Sequence, residues 1–184
     1  EYGSIGAEES SGLPYWIWKI LPEVCESSLP KRPGSGYERI GFLPGTAAHG
    51  RPIGTSYRAG NGDRVGLNCA TCHVGTLRES PDAERQVIVG MPANQMDLQV
   101  YGRFLTACAK SPAFETGRLI DAIHTANPDF GFFARLGYRL FVVRAARDGI
   151  LERARQNAWF DDGRPEFGPG RVDTFNPYKV MLAQ

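Results

Sequence analysis

The sequence predicts a mainly α-helical fold with long irregular segments and few or no strands. Apolar residues recur at helical spacing through most of the chain after residue 94, whereas the stretch 25–66 is crowded with Gly and Pro, which favour turns. A chain of 184 residues with 42% apolar side chains can bury one good core. We therefore expect residues 1–184 to form a single domain.

The first segment with regular structure is expected at residues 13–22, where prolines bound an aromatic-rich run. This pattern predicts a short buried segment or one to two turns of helix. Trp16 and Trp18 fit either core packing or a membrane interface, and core packing is favoured because no basic amphipathic face accompanies them. Residues 25–66 are then expected to form an irregular wrap whose path is set by its turn residues.

The strongest chemical signal is the pattern C-x-x-C-H at Cys69, Cys72 and His73. It is the attachment signal for c-type haem, because each thiol can add to a porphyrin vinyl group and the histidine can ligate the iron. Asn68 before it is a preferred helix N-cap residue. We predict one haem c held by these residues in a cytochrome c-like haem domain, with the irregular wrap covering one side of the haem.

Two other readings of the cysteine pair are less favoured. A zinc site needs four clustered ligands, but Cys25, Cys108, His49 and His124 are scattered singly along the chain. A thioredoxin-type dithiol would open a long helix after an apolar strand, whereas residues 60–66 predict a loop. The separation of Cys25 from Cys108 leaves open whether they form a disulfide or stay as free thiols.

Beyond the motif, residues 86–90 predict a brief strand or extended pass, and three helices follow. Asn94 is expected to cap the first helix, and Ser111 is expected to start the second, which ends near His124. The third is expected to run from residue 127 to about 158. Its apolar row, expected to pack against other helices, consists of Phe133, Leu136, Leu140, Val143, Ile150, Leu151 and Ala154.

The sixth ligand of the iron would decide the chemistry, because a second strong ligand favours electron transfer and an open position lets oxygen or peroxide bind. Met91, in a loop before the first of these helices, is the leading candidate. The alternatives are Met96, Met181, His49, His124, or an open site lined by aromatic side chains such as Phe167 or Phe175.

Charge and hydropathy limit the partners and the compartment. A net charge of +1 gives no support for nucleic-acid binding, although 17 of the 21 basic residues are Arg. No apolar run is long enough to span a bilayer, and the sequence contains no signal peptide. Because the first residue is Glu1 and not methionine, we expect an N-terminal segment to be missing. Because bacteria attach haem to C-x-x-C-H outside the cytoplasm, we expect a periplasmic protein, with membrane association left open.

Four stretches, at residues 2–8, 12–18, 66–73 and 168–177, resemble the N-terminal haem half of bacterial di-haem c-type proteins related to rubber oxygenase, within the di-haem cytochrome c peroxidase superfamily. The resemblance implies that Cys69 and Cys72 hold the haem and that His73 is its proximal ligand. It also implies a mostly helical fold and a second haem module, in the same chain or in a separate subunit, after the present one.

Two functions follow from these patterns. The first is periplasmic electron transfer between the haem and a redox partner protein. The alternative is a haem-dependent oxygenase or peroxidase that acts on O2 or H2O2 with an apolar, isoprenoid-like substrate, as the resemblance implies. Whether the chain is an enzyme stays open, because its candidate acids and bases form no recognisable arrangement; they are Glu115, Asp121, Asp129 and His124.

Overall fold

The computed structural model describes residues 1–6, 8–9, 12–60, 62–158, 166 and 168–171. These residues form an α+β mix, about 47% helical and 11% strand, with two small antiparallel sheets beside the helices. The prediction of a mainly α, cytochrome c-like fold with few or no strands is therefore wrong. The strands arise in Gly-rich stretches that local composition assigns to loops.

The first sheet has three strands, β1 (Leu13–Pro14), β2 (Thr55–Arg58) and β3 (Arg64–Leu67), with β3 in the centre. Both neighbours pair with β3 in antiparallel register, and Tyr57 lies opposite Val65. The strand contains Gly66 because the side chain of Glu8 passes 3.3 Å from the place where a Cβ atom would lie. The loop expected at residues 60–66 is thus wrong for the part that forms β3.

The second sheet is a hairpin of β4 (Val74–Leu77) and β5 (Gln86–Val89), in which Val74 lies opposite Val89. It directly follows a one-turn helix, α2 (Ala70–His73). The strand expected at residues 86–90 is confirmed. The hairpin matters for function because β4 continues from the C-x-x-C-H motif without a linker.

Longer helices build the rest of the molecule. They are α1 (Tyr15–Val24), α3 (Leu98–Lys110), α4 (Thr116–Ala126), α5 (Phe132–Gly137) and α6 (Val143–Gln156), and a π turn (Tyr138–Val142) joins the last two without a break. Two 3₁₀ turns, Glu26–Ser28 and Gly36–Ile40, interrupt the stretch that was expected to be irregular. The tail from residue 172 lies outside the described residues.

Carboxylate side chains, rather than the expected Asn94 and Ser111, begin the two middle helices. Asp97 caps α3 by accepting a 3.1 Å hydrogen bond from the Val100 amide. Glu115 caps α4 by accepting from the amides of its first turn. A negative charge at these positions also interacts favourably with the positive end of the helix dipole.

The core contains a disulfide between Cys25 and Cys108, with Cα atoms 5.5 Å apart, which ties the end of α1 to α3. Both cysteines are fully buried. Trp18 stacks on Tyr37 at 4.4 Å and donates a hydrogen bond to the Tyr101 hydroxyl, which confirms its expected core position. The sequence did not decide between a disulfide and two free thiols. The structure shows the disulfide, because the fold brings the two helices together.

The apolar row of the last helical run is only half buried. Val143 and Ile150 are in the core, as expected, but Phe133 is 85% exposed, and Leu136 and Leu140 are also exposed. The packing prediction is therefore wrong for the N-terminal half of this run. The π turn changes the helical phase, so that Tyr138 points into the core while its apolar neighbours face outwards.

Candidate functional site

The C-x-x-C-H motif forms a single helical turn between two sheets. β3 ends at Leu67, the turn spans Ala70–His73, and β4 begins at Val74. The Cys69 carbonyl accepts hydrogen bonds from the amides of Cys72, at 3.1 Å, and His73, at 2.9 Å. These two bonds fix the three motif side chains on one short turn, whose position is set by strands on both sides.

The motif side chains are accessible. Cys69 is exposed, Cys72 is half-buried, and both carry free thiols. His73 is exposed. Burial raises the pKa of the Cys72 thiol, and the neighbouring Cys69 raises it further. The Cys72 thiol is thus favoured in its protonated form.

Asn68 anchors the start of the turn. Its side-chain oxygen accepts a 2.9 Å hydrogen bond from the Ala70 amide, although Cys69, and not Asn68 as expected, occupies the N-cap position of this helix. Its amide nitrogen donates to the carbonyls of Glu1, at 3.1 Å, and Gly3, at 2.9 Å. One buried side chain therefore joins the motif to the N-terminal segment.

Thr71, between the two cysteines, joins the turn to Gly54. Its hydroxyl donates a 2.6 Å hydrogen bond to the Gly54 carbonyl. A Cβ atom on Gly54 would lie 2.7 Å from the backbone of Thr71, which is closer than side chains tolerate. The sequence did not reveal the role of Gly54, because its contact with Thr71 is long-range. Locally, Gly54 is only one of many glycines in a turn-rich stretch.

The backbone after the motif is clamped by the segment that follows the hairpin. The His73 carbonyl accepts from the Gly90 amide at 2.8 Å, and the Cys72 carbonyl accepts from the Ala93 amide at 2.9 Å. The Asn94 side chain bonds both the amide and the carbonyl of Thr76, at 3.0 and 2.6 Å. Asn94 thus secures the hairpin instead of capping a helix.

The hairpin presents apolar side chains to solvent next to the motif. Val89 is 62% exposed and lies opposite Val74, the residue that follows His73. The other exposed members of this hydrophobic surface are Leu77, Val87 and Ile88. Sequence reasoning identified the strand but not this exposure.

Met91 is the candidate sixth ligand that the fold brings to the motif strand. Its sulfur lies 3.3 Å from the place where a Cβ atom on Gly75 would be, two residues after His73. Met91 is partly buried, whereas Met96 is 3% exposed and belongs to the core. Met181, Phe167 and Phe175 lie outside the described residues.

The two candidate histidines are placed differently. His49 stacks on Tyr2 with ring centroids 3.8 Å apart, and its Nδ1 atom shares a 2.8 Å hydrogen bond with the Thr46 hydroxyl. His124 lies in the last turn of α4, and its Nδ1 atom is buried without a hydrogen-bond partner in the described part of the chain. His49 is therefore already engaged in local contacts.

The residues present fit a covalently attached haem. The donor set is two free, accessible thiols and one accessible imidazole on a single turn, and an apolar strand surface adjoins it. Zinc fits less well, because Cys25 and Cys108 are joined in the disulfide and, among the described residues, no group of three or more His, Cys, Asp or Glu side chains is arranged to hold a metal ion. The thioredoxin reading fails because the helix is one turn long.

The four candidate acids and bases are not assembled around the motif turn. Glu115 caps α4, and hydrogen bonds from the Gly117 and Arg118 amides lower the pKa of its carboxyl group, so it stays ionised at neutral pH. Asp121 and His124 lie on the same helix, and Asp129 lies in the loop after it. The helix packs against α1 and the helical run that ends at Gln156.

Comparison of this chain with protein-family models, with curated proteins and with solved structures gives no match. Among the helices of the described residues, none combines the length and the apolar character required to cross a bilayer.

Proposed function

We propose that this chain is a c-type haem protein that transfers single electrons in the bacterial periplasm. The observation that carries the proposal is the motif turn, where two free thiols and an accessible imidazole occur together at the spacing of C-x-x-C-H. The proposal rests on the chemistry of these side chains and not on fold similarity.

Each residue of the site has a defined role in this proposal. Cys69 and Cys72 would hold the haem through thioether bonds, and His73 and Met91 would ligate its iron. When bound, the haem supplies a one-electron redox centre whose potential the protein sets through ligands, burial and hydrogen bonds.

The disulfide between Cys25 and Cys108 supports the proposed compartment. Structural disulfides persist in oxidising compartments such as the periplasm, which is also where bacteria attach haem to C-x-x-C-H. A redox partner protein is required to deliver or accept the electron. The Glu115 carboxylate accepts hydrogen bonds from the amides of its own helix, which gives no support to a role in peroxide cleavage. We therefore do not propose catalysis.

The test is to produce the chain in a periplasm that has haem-attachment machinery. We expect a red protein whose mass exceeds the polypeptide by one haem and whose pigment survives acidified acetone. Cys69→Ala with Cys72→Ala should lose covalent haem, and His73→Gln should change the spectrum. His49→Gln is the matched control. Because His49 is exposed and contacts Tyr2 and Thr46, its substitution should leave pigment and spectrum unchanged.

The spectrum then separates electron transfer from oxygen chemistry. A low-spin spectrum with a methionine-to-iron charge-transfer band, and no carbon monoxide binding after reduction, is expected. A colourless product would overturn the haem assignment. A high-spin spectrum with rapid carbon monoxide binding would overturn the electron-transfer role and favour an oxygenase or peroxidase.

A further inference from the structure

A continuous apolar face lies on the outside of the helical run that begins at α5. We call it the phenylalanine face. The most exposed members are Phe133 at 85%, Phe132 at 71% and Phe141 at 70%. The complete set is Phe132, Phe133, Leu136, Leu140 and Phe141.

The helical run is held in place from its other side, so the exposure is a feature of the fold. Phe130 and Tyr138 are buried and meet edge to face with ring centroids 4.9 Å apart. The Arg135 side chain donates a 2.9 Å hydrogen bond to the Phe130 carbonyl. Val143 continues the buried side beyond the π turn. The buried side of this helical run is therefore fully packed without any contribution from the phenylalanine face.

The charges around this face are basic. Between Phe130 and Arg147 the sequence contains four arginines and no acidic residue. Arg139, Arg144 and Arg147 are exposed. Asp148 lies 3.8 Å from Arg144, and the charge of Arg139 is felt by Glu115, so two cations have an acidic neighbour at the edge of the patch.

A further cation lies close to the start of the run. Phe130 adjoins Trp16, with ring centroids 6.4 Å apart, and the ammonium group of Lys19 lies 5.0 Å from the centre of the Trp16 ring. Trp16 is partly buried and Lys19 is exposed. Aromatic and cationic side chains in this combination are typical of proteins that bind the membrane–water interface.

We propose that the phenylalanine face docks the protein on an anionic phospholipid surface. Its Phe and Leu side chains enter the headgroup boundary, while the arginines contact lipid phosphates. A two-fold dimer through the same face is disfavoured, because it would bring the arginines of both copies together, and their acidic neighbours, Asp148 and Glu115, lie only at the edge of the face. This proposal does not depend on haem binding.

The experiment is co-sedimentation of the full chain with vesicles of phosphatidylcholine alone and of phosphatidylcholine mixed with phosphatidylglycerol. We expect binding to the anionic vesicles that weakens with added salt, and little binding to the neutral ones. Phe133→Ser with Phe141→Ser should lower the partition coefficient about tenfold or more. Arg139→Gln should lower it about fivefold on anionic vesicles.

Two controls keep the result interpretable. Ile5→Ser removes an apolar side chain that is 61% exposed outside the face, and it should leave vesicle binding unchanged. Phe141→Trp retains the apolar face. Its fluorescence, after subtraction of the signal of the parent chain with its three native tryptophans, should shift to the blue and be quenched by brominated lipid. This second readout does not require the serine variants to fold.

Three results would overturn the proposal: no sedimentation with anionic vesicles, serine variants that bind as well as the parent chain, or fluorescence of the Phe141→Trp variant that does not change when lipid is added. A mass that doubles with concentration, in the absence of vesicle binding, would assign the face to a second copy. Failure of haem attachment with intact vesicle binding would overturn the proposed function alone.

Discussion

At the scale of single residues, Gly54 sets the position of the motif turn. Its φ angle is +89°, and its carbonyl accepts hydrogen bonds from the Thr71 hydroxyl at 2.6 Å and the Asn68 amide at 2.9 Å. Glycine adopts this backbone conformation without strain and has no Cβ atom to meet Thr71. The residue therefore satisfies a conformational and a packing requirement at once.

Gly54→Ala should therefore destabilise the protein more than an alanine at another left-handed glycine. Gly62→Ala is the matched control, since its φ is +90° and no atom lies within 4 Å of the new Cβ. Because only Gly54→Ala adds overpacking, we expect it to cost about 1–3 kcal/mol more. Urea unfolding followed by circular dichroism measures the difference, and equal costs would show that Thr71 moves aside.

Met91 and Met96 provide a second comparison at this scale. If Met91 is the sixth ligand, Met91→Leu should remove the methionine-to-iron band, lower the reduction potential and allow carbon monoxide binding. Met96→Leu conserves volume in the core and should keep all three properties. The reduced and oxidised spectra at controlled potential provide the measurement. A band that survives Met91→Leu would exclude this ligand.

At the scale of elements, the disulfide joins the end of α1 to α3 across 83 residues of chain. A cross-link of this length restricts the unfolded chain strongly, so replacing both Cys25 and Cys108 by Ala should cost about 2–4 kcal/mol. Urea unfolding of the double variant provides the measurement. The parent chain treated with reductant is the control, and it should match the variant; a loss below about 1 kcal/mol would contradict the argument.

The sequence predicts elements well where the signal is local. The C-x-x-C-H motif forms one short helical turn as expected, because its spacing is a local property, and Asn68 bonds the Ala70 amide at the start of this turn. β3 was missed because Gly66 reads as a loop residue, although it is needed where Glu8 passes close to the strand. That contact joins residues far apart in sequence, and no periodicity encodes it.

Helix starts and exposed faces show the same limit. Asn94 has the side chain of a helix cap, but Thr76 of the hairpin binds it, so the helix begins later, at Leu98, with Asp97 as its cap. Phe133 and Leu140 have the spacing of a core stripe, but the π turn directs Tyr138 inwards instead. In the first case a partner distant in sequence overrides the local propensity, and in the second case the π turn does.

At the scale of the whole molecule, an aromatic cluster holds the helices to the 3₁₀ turn Gly36–Ile40. Tyr37 stacks on Trp18 and donates a 2.7 Å hydrogen bond to its carbonyl. Tyr101 accepts a 3.0 Å hydrogen bond from the Trp18 indole. Burial raises the pKa of Tyr101 to about 12 and places the pKa of Tyr37 well above its ordinary value. The core therefore depends on neutral phenols.

This dependence predicts a loss of stability at high pH. The folded-state pKa of Tyr101 lies above its unfolded value of about 10, so its contribution is complete below pH 10 and declines as the pH rises towards 12. The shift corresponds to about 2–3 kcal/mol from this residue by pH 12. Tyr37 acts in the same direction.

Tyr101→Phe separates ionisation from packing. At neutral pH the variant should be about 1–3 kcal/mol less stable, because the Trp18 indole loses its acceptor. Since phenylalanine cannot ionise, its free energy of unfolding should then fall less steeply than that of the parent above pH 10, and the gap should narrow. Urea unfolding across this range gives both slopes. Parallel slopes would mean that Tyr101 has the same pKa in the folded and the unfolded chain, and the core would then owe its alkaline sensitivity to other groups.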